Sequence, residues 1–331
     1  MYGGANNFAV STYGSNVFIG TPTSPIKGGA GIFSVLSTIT SRKVGGTGGN
    51  ISLYGTATGA YSAVDNSAPM VADGAITIVG NSTLAAPSAS VVSITGAMTV
   101  NAGGGDITIT GTSATTTGYT GAATGLSLTG AINQSANGGN ITFTSNNKIN
   151  QTGAITLAAN TSGTASNVTY DTTTGTKDSS IISGALSVGS GSTSGINFIE
   201  KTAGAAITTA AINVPGYILL DNTWGAASGA PASGYITAAN ASTLTTSATG
   251  ITINGALTAG SFATGTGITL RGVTTTGNAI NQGGNALSSA AGGITLTGAG
   301  TTAATLITGS GPFTNTLGDI AKSMLDWEHR E

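Results

Sequence analysis

Short runs in which apolar residues alternate with Thr, Ser or Asn recur from one end of the chain to the other: Ile51-Ser52-Leu53, Ile107-Thr108-Ile109-Thr110, Ile141-Thr142-Phe143, Ile268-Thr269-Leu270 and Ile294-Thr295-Leu296. A period of two sends successive side chains to opposite faces of an extended backbone. These runs of about 4 to 6 residues therefore predict strands with one buried and one wet face. Further copies begin at Gly195-Ile196-Asn197-Phe198, Gly216-Tyr217-Ile218-Leu219, Gly234-Tyr235-Ile236-Thr237 and Gly250-Ile251-Thr252-Ile253, so the pattern leaves no room for a linker. All seven prolines fall between runs and none inside one, as strand hydrogen bonding requires. The last stretch differs. Thr316 precedes Asp319 as in a helix-starting box, and Ile320, Met324 and Trp327 share one helical face. The expectation is a repeat domain over residues 1–316, followed by a short charged amphipathic helix or cap over residues 317–331 that covers the open end of the stack or begins a following region.

Repeats decide which all-β fold is meant. One unit is a Gly pair, then Asn or Asp, then the alternating run: Gly48-Gly49-Asn50-Ile51, Gly104-Gly105-Asp106-Ile107 and Gly138-Gly139-Asn140-Ile141, with a shortened copy at Gly292-Gly293-Ile294. The steps between the first three are 56 and 34 residues, read as two turns and one turn of a coil. A second unit joins two short strands through a Gly-Ala corner, as in Ile94-Thr95-Gly96-Ala97-Met98, Leu128-Thr129-Gly130-Ala131-Ile132, Ile182-Ser183-Gly184-Ala185-Leu186 and Ile253-Asn254-Gly255-Ala256-Leu257. Glycine at these corners is expected to supply positive φ. A third unit, Ile-Asn-Gln at Ile132, Ile149 and Ile280, predicts amide ladders between coils. A sandwich or barrel would also have many short strands, but the same strand with the same corner throughout points to an all-β, single-stranded parallel β-helix, or β-solenoid.

Composition sharpens this picture. The 331 residues include 54 Gly and no Cys, with only 6% charged and 5% aromatic residues against about 25% charged in an ordinary domain. The recurrent Ile, Val and Thr argue against disorder, and runs such as Ile107-Thr108-Ile109-Thr110 break the collagen period. A net charge of −2 without a basic stripe argues against nucleic acid and anionic lipid as partners. No apolar run approaches the roughly 20 residues of a membrane helix, so no membrane insertion is expected. Met1–Phe8 lacks the features of a signal peptide, which predicts an excerpt of something longer or a non-standard exit route.

Candidate chemistry is sparse. β-Helix hydrolases and lyases need paired carboxylates, and Asp65, Asp73, Asp106, Asp171, Asp178, Glu200 and Asp221 are far apart in sequence and read as turn and cap residues. His329, the sole histidine, lies in the charged tail, which excludes a multi-His zinc site in the body. Gly103-Gly104-Gly105 has no following Lys-Ser or Lys-Thr and reads as a corner, not a phosphate cradle. Neither catalytic residues nor a cofactor or metal is expected. Thr108 and Thr110, Thr142 and Thr144, and Thr295 and Thr297 would form flat ranks of the ice-binding kind, or are simply good exposed strand residues. Tyr54, Tyr119, Tyr170, Tyr217, Trp224 and Tyr235 would offer stacking platforms for sugars, or pack over corners.

From Val44 to Gly311 the Gly-Gly-Asn-Ile-Thr and Thr-Gly-Ala-Ile units resemble the filamentous haemagglutinin-like and autotransporter-passenger repeats of bacterial surface adhesins. The resemblance implies a right-handed parallel β-helix at the bacterial cell surface, extracellular, acting in adhesion or surface structure through a host receptor, matrix or glycan. The family's amino-terminal secretion domain and carboxy-terminal barrel have no counterpart in this sequence. The expected function is thus a non-enzymatic structural or adhesive rod segment. The alternatives are a filament or sheath subunit self-associating end to end, an ice-binding solenoid, and a polysaccharide-degrading β-helix.

Overall fold

The computed structural model describes residues 10–29, 31–32, 38–84, 88–101, 103–114, 124–174, 179–202, 206–222, 249–260, 266–274, 278–300, 305–315 and 320–326. Among the described residues the chain winds into stacked coils that lay down three sheets of parallel-stacked strands, of 12, 12 and 9 strands with one short hairpin strand included. One coil shows the plan. Val92–Ile94 enters the third sheet, Met98–Val100 the first and Ile107–Ser113 the second, and the next coil repeats this with Leu126–Leu128, Ile132–Gln134 and Ile141–Ser145. Among the described residues every pairing between coils is parallel, and the one antiparallel pair is a small hairpin in which Lys43 faces Gly48. The β-solenoid expected from the repeats is the fold found.

Register follows the Gly-Gly-Asn units. Ile107 lies opposite Ile141, 34 residues on, and Ile51 opposite Ile76, which lies opposite Ile107, so the 56-residue step does span two coils. Inward positions form columns along the axis. In the second sheet one column runs Ile51, Ile76, Ile107, Ile141, Val168, Phe198, Ile218, Ile268 and Ile294. The interior is a continuous aliphatic core, each side chain contributing about 1.5–3 kcal/mol by leaving water. Phe143, Tyr170 and Phe198 stack within it at centroid distances of 4.8 and 5.5 Å.

Three expectations need correction. The helix predicted after residue 316 is absent where the structure describes it: Ile320–Asp326 is a strand pairing in parallel with Gly293–Gly300, Ile320 opposite Ile294. Seven register partners on an existing strand outweigh the weak helical preference of a short segment. Trp327 and His329 lie outside the described residues.

The Gly-Ala corners do contain glycine of necessity, but not for positive φ. Gly96, Gly130, Gly153 and Gly184 are absent from the positive-φ set, and they stack so that a Cβ on Gly130 would collide with the carbonyl oxygen of Gly96, and one on Gly153 with that of Gly130. Close approach of successive coils selects the residue.

The Ile-Asn-Gln triplets do not form one ladder, because Ile132–Gln134 lies in the first sheet and Ile149–Gln151 in the third. Their glutamines turn inward and satisfy corner carbonyls instead: Gln151 Nε2 donates to Gly153 O, and Gln282 Nε2 donates to Gly311 O at 3.0 Å. The ladder forms at the asparagines after the glycine pairs. Asn50 Oδ1 accepts from Ala75 N, Asp106 Oδ1 from Asn140 N and Asn140 Oδ1 from Asn167 N, at 2.7 to 2.9 Å.

Candidate functional site

The outward faces of the sheets carry most of the polar chemistry. Because register is kept from coil to coil, residues of like kind line up about 4.8 Å apart along the axis. In the second sheet Thr77, Thr108, Thr142 and Thr169 are successive partners, with Thr110 beside Thr144 in the next column. The structure thus brings together Thr108, Thr110, Thr142 and Thr144, all partly exposed. It does not join Thr295 and Thr297 to them, since Ile199, Leu219 and Thr269 intervene in one column and Asp171, Lys201, Asp221 and Arg271 in the other. The first sheet shows Thr99, Asn133, Thr156 and Ser187 in line, the third Ser93, Ser127 and Asn150.

The carboxylates expected in turns and caps mostly serve the stack. Asp73 accepts from Asn101 Nδ2 (2.6 Å), the Lys43 backbone N–H (2.9 Å) and Arg42 Nη1 (2.9 Å), and these donors hold its pKa below the ordinary carboxylate value. Asp106 continues the amide ladder, and Asp171 caps its own turn by accepting from Thr173 N and Oγ1 at 2.9 and 2.6 Å. Asp221, buried, pairs with Arg271 Nη1 at 3.3 Å. Asp65 faces outward on the third sheet, where burial raises its pKa and a hydrogen bond from Ser93 partly offsets the rise. Asp178 lies outside the described residues, as do Tyr119, Trp224 and Tyr235. Among the described residues no three His, Cys, Asp or Glu side chains gather to hold a metal.

Two backbone N–H groups of the Gly103-Gly104-Gly105 corner are spent internally, Gly103 N donating to Ala136 O at 3.0 Å and Gly104 N to Asn101 O at 2.9 Å. A surface groove bordered by Val188, Ser192, Asn213 and Pro215 carries no titratable group. Of the aromatic candidates, Tyr54 stays partly exposed and Tyr217 is half-buried. Tyr170 is fully buried in the core and so offers no platform to a sugar.

Glu200 is the residue that the sequence reading misplaced. It is neither turn nor cap: it occupies the inward column of the second sheet, with Tyr170 as partner on one side and Leu220 on the other. It is fully buried, and neither carboxyl oxygen has a hydrogen-bond partner. Ser183 faces it from the third sheet and stabilises the charge slightly, but its hydroxyl is directed at Thr209 Oγ1, 3.0 Å away. Burial pushes the Glu200 pKa up to about 8, so the side chain is a neutral acid at pH 7. Tyr170 donates to Gln151 Oε1 at 2.7 Å, and its phenol is raised well above its ordinary value by burial first and by Glu200 second. Parity was the available signal, since Ile196, Phe198 and Glu200 share one face of an extended run.

No family model, no curated protein and no solved structure matches this chain.

Proposed function

We propose that the chain is a non-enzymatic structural rod with an adhesive surface, an extracellular segment of a bacterial cell-surface fibre. The observation that carries this reading is the in-register display of Thr, Ser and Asn on the outward faces of all three sheets, with most described carboxylates committed to holding coils together. Hydroxyl and amide ranks at a fixed spacing suit many weak hydrogen bonds to an extended, uncharged polar partner such as a glycan. Single contacts of this kind are feeble, and their repetition on one rigid scaffold is what gives binding. The resemblance of the glycine-asparagine units to surface-adhesin repeats supports the same assignment.

The test is retention of the purified chain on immobilised neutral polysaccharides, set against a variant carrying Thr99→Lys, Thr156→Lys and Ser187→Lys on the first sheet. Retention by the native chain that falls at least tenfold in the variant is the expected result. Release of soluble sugar from the polysaccharide would replace this reading with an enzymatic one, and fibres growing with concentration under the electron microscope would favour a filament subunit. Ice binding is a second reading, favoured by the block of Thr108, Thr110, Thr142 and Thr144 alone. Absence of thermal hysteresis removes it.

A further inference from the structure

We propose that Glu200 is a proton-operated lock on the middle of the solenoid: the neutral carboxyl seats in the core and keeps the coils of Ser166–Thr172, Ile196–Thr202 and Ile218–Asp221 closed, and loss of its proton loosens them. The geometry makes the case. The column Leu53, Ile78, Ile109, Phe143, Tyr170, Glu200, Leu220, Leu270 and Leu296 holds aliphatic and aromatic side chains at every other position. A carboxylate placed there would lack water and have only the Ser183 hydroxyl within reach as a donor, an arrangement that a folded chain tolerates poorly.

Among the described residues no charged group faces it to compensate. The second-sheet neighbours present Tyr170 and Leu220, the third sheet presents Ser183, and the apolar strand Ile212–Val214 of the first sheet packs against the Glu200 strand. Lys201 belongs to the outward column with Asp171 and Asp221. Tyr170 is the sole other titratable group facing the carboxyl among the described residues; it is neutral through the relevant range and would repel a carboxylate only if it ionised itself. Opening the coils hydrates Glu200 and returns it to its ordinary acidity. The folded pKa near 8 lies above the free value of 4.5, so the closed form is favoured at low pH and its advantage shrinks as pH rises to about 8. The device goes beyond the proposed surface role and does not depend on it.

The experiment is native-state hydrogen exchange on the whole chain, reading the opening equilibrium of the Ile196–Thr202 amides against pH after correction for intrinsic exchange. Wild type should open roughly seventyfold more at pH 7.5 than at pH 5.5, and Glu200→Gln should show a flat profile through the same range. Should the Gln variant not fold, Glu200→Leu, which extends the aliphatic column, supplies the proton-free reference. A wild-type change under threefold, or an equal slope in the variant that folds, overturns the lock. Amides of Ile76–Ser82, several coils away, serve as the internal control and should show little of the Glu200-dependent slope.

Discussion

Glycine does two different jobs in this chain, and single substitutions separate them. At Gly130 the backbone angles suit any residue, but the carbonyl of the coil beneath occupies the space of a Cβ, so Gly130→Ala forces two coils apart. At Gly103 φ is +68° and nothing lies within 4 Å of the Cβ position, so Gly103→Ala carries only left-handed strain. The expected cost is about 2 kcal/mol or more for the first and about 1 kcal/mol for the second, read from urea midpoints. Equal losses would mean that the coils yield more readily than their spacing implies. Glu200 shows the opposite situation, a residue whose chemistry opposes its place. With a folded pKa near 8 and a free value of 4.5, holding its proton at pH 7 costs about 3 kcal/mol of stability relative to acid conditions. Asp73, whose pKa is lowered, works with the opposite sign and loses its contribution as pH falls.

Strands and their spacing were legible in the sequence because a period of two and a returning glycine pair are local signals. Ile107 meeting Ile141 is the 34-residue step made physical. What was not legible depended on which sheet a segment joins. The Ile-Asn-Gln triplets look identical in sequence, yet one sits in the first sheet and another in the third, so their amides never stack. The segment Ile320–Asp326 has a helical face, but a neighbouring strand edge decided its conformation. Glu200 was hidden by habit: carboxylates are read as surface groups even where alternation places them inside. The amide ladder gives the element-scale prediction. Asn140→Ala removes the acceptor of the Asn167 N–H and should cost about 1 kcal/mol, whereas Asn133→Ala, on an outward rank of the first sheet, should stay within about 0.5 kcal/mol in the same unfolding measurement.

Every coil of the solenoid touches chiefly the coils before and after it, so stability is a chain of neighbour terms and not a property of one shared core. Two features load the region of the aromatic stack: Phe143, Tyr170 and Phe198 bridge three successive strands, and Glu200 continues the column of Phe143 and Tyr170. Phe198→Ala removes a fully buried ring and leaves a cavity between Tyr170 and the following coil, at an expected cost of about 3–5 kcal/mol. In a compact domain that loss would lower protection everywhere. In a stack it should be spent locally: amides of Ser166–Thr172 and Ile218–Asp221 should exchange faster together with those of Ile196–Thr202, while Ile76–Ser82 and Ile107–Ser113 keep most of their protection. A uniform loss from end to end would instead mean that the coils open as one cooperative unit, and a lock acting on only the middle of the rod would then have no separate segment to release.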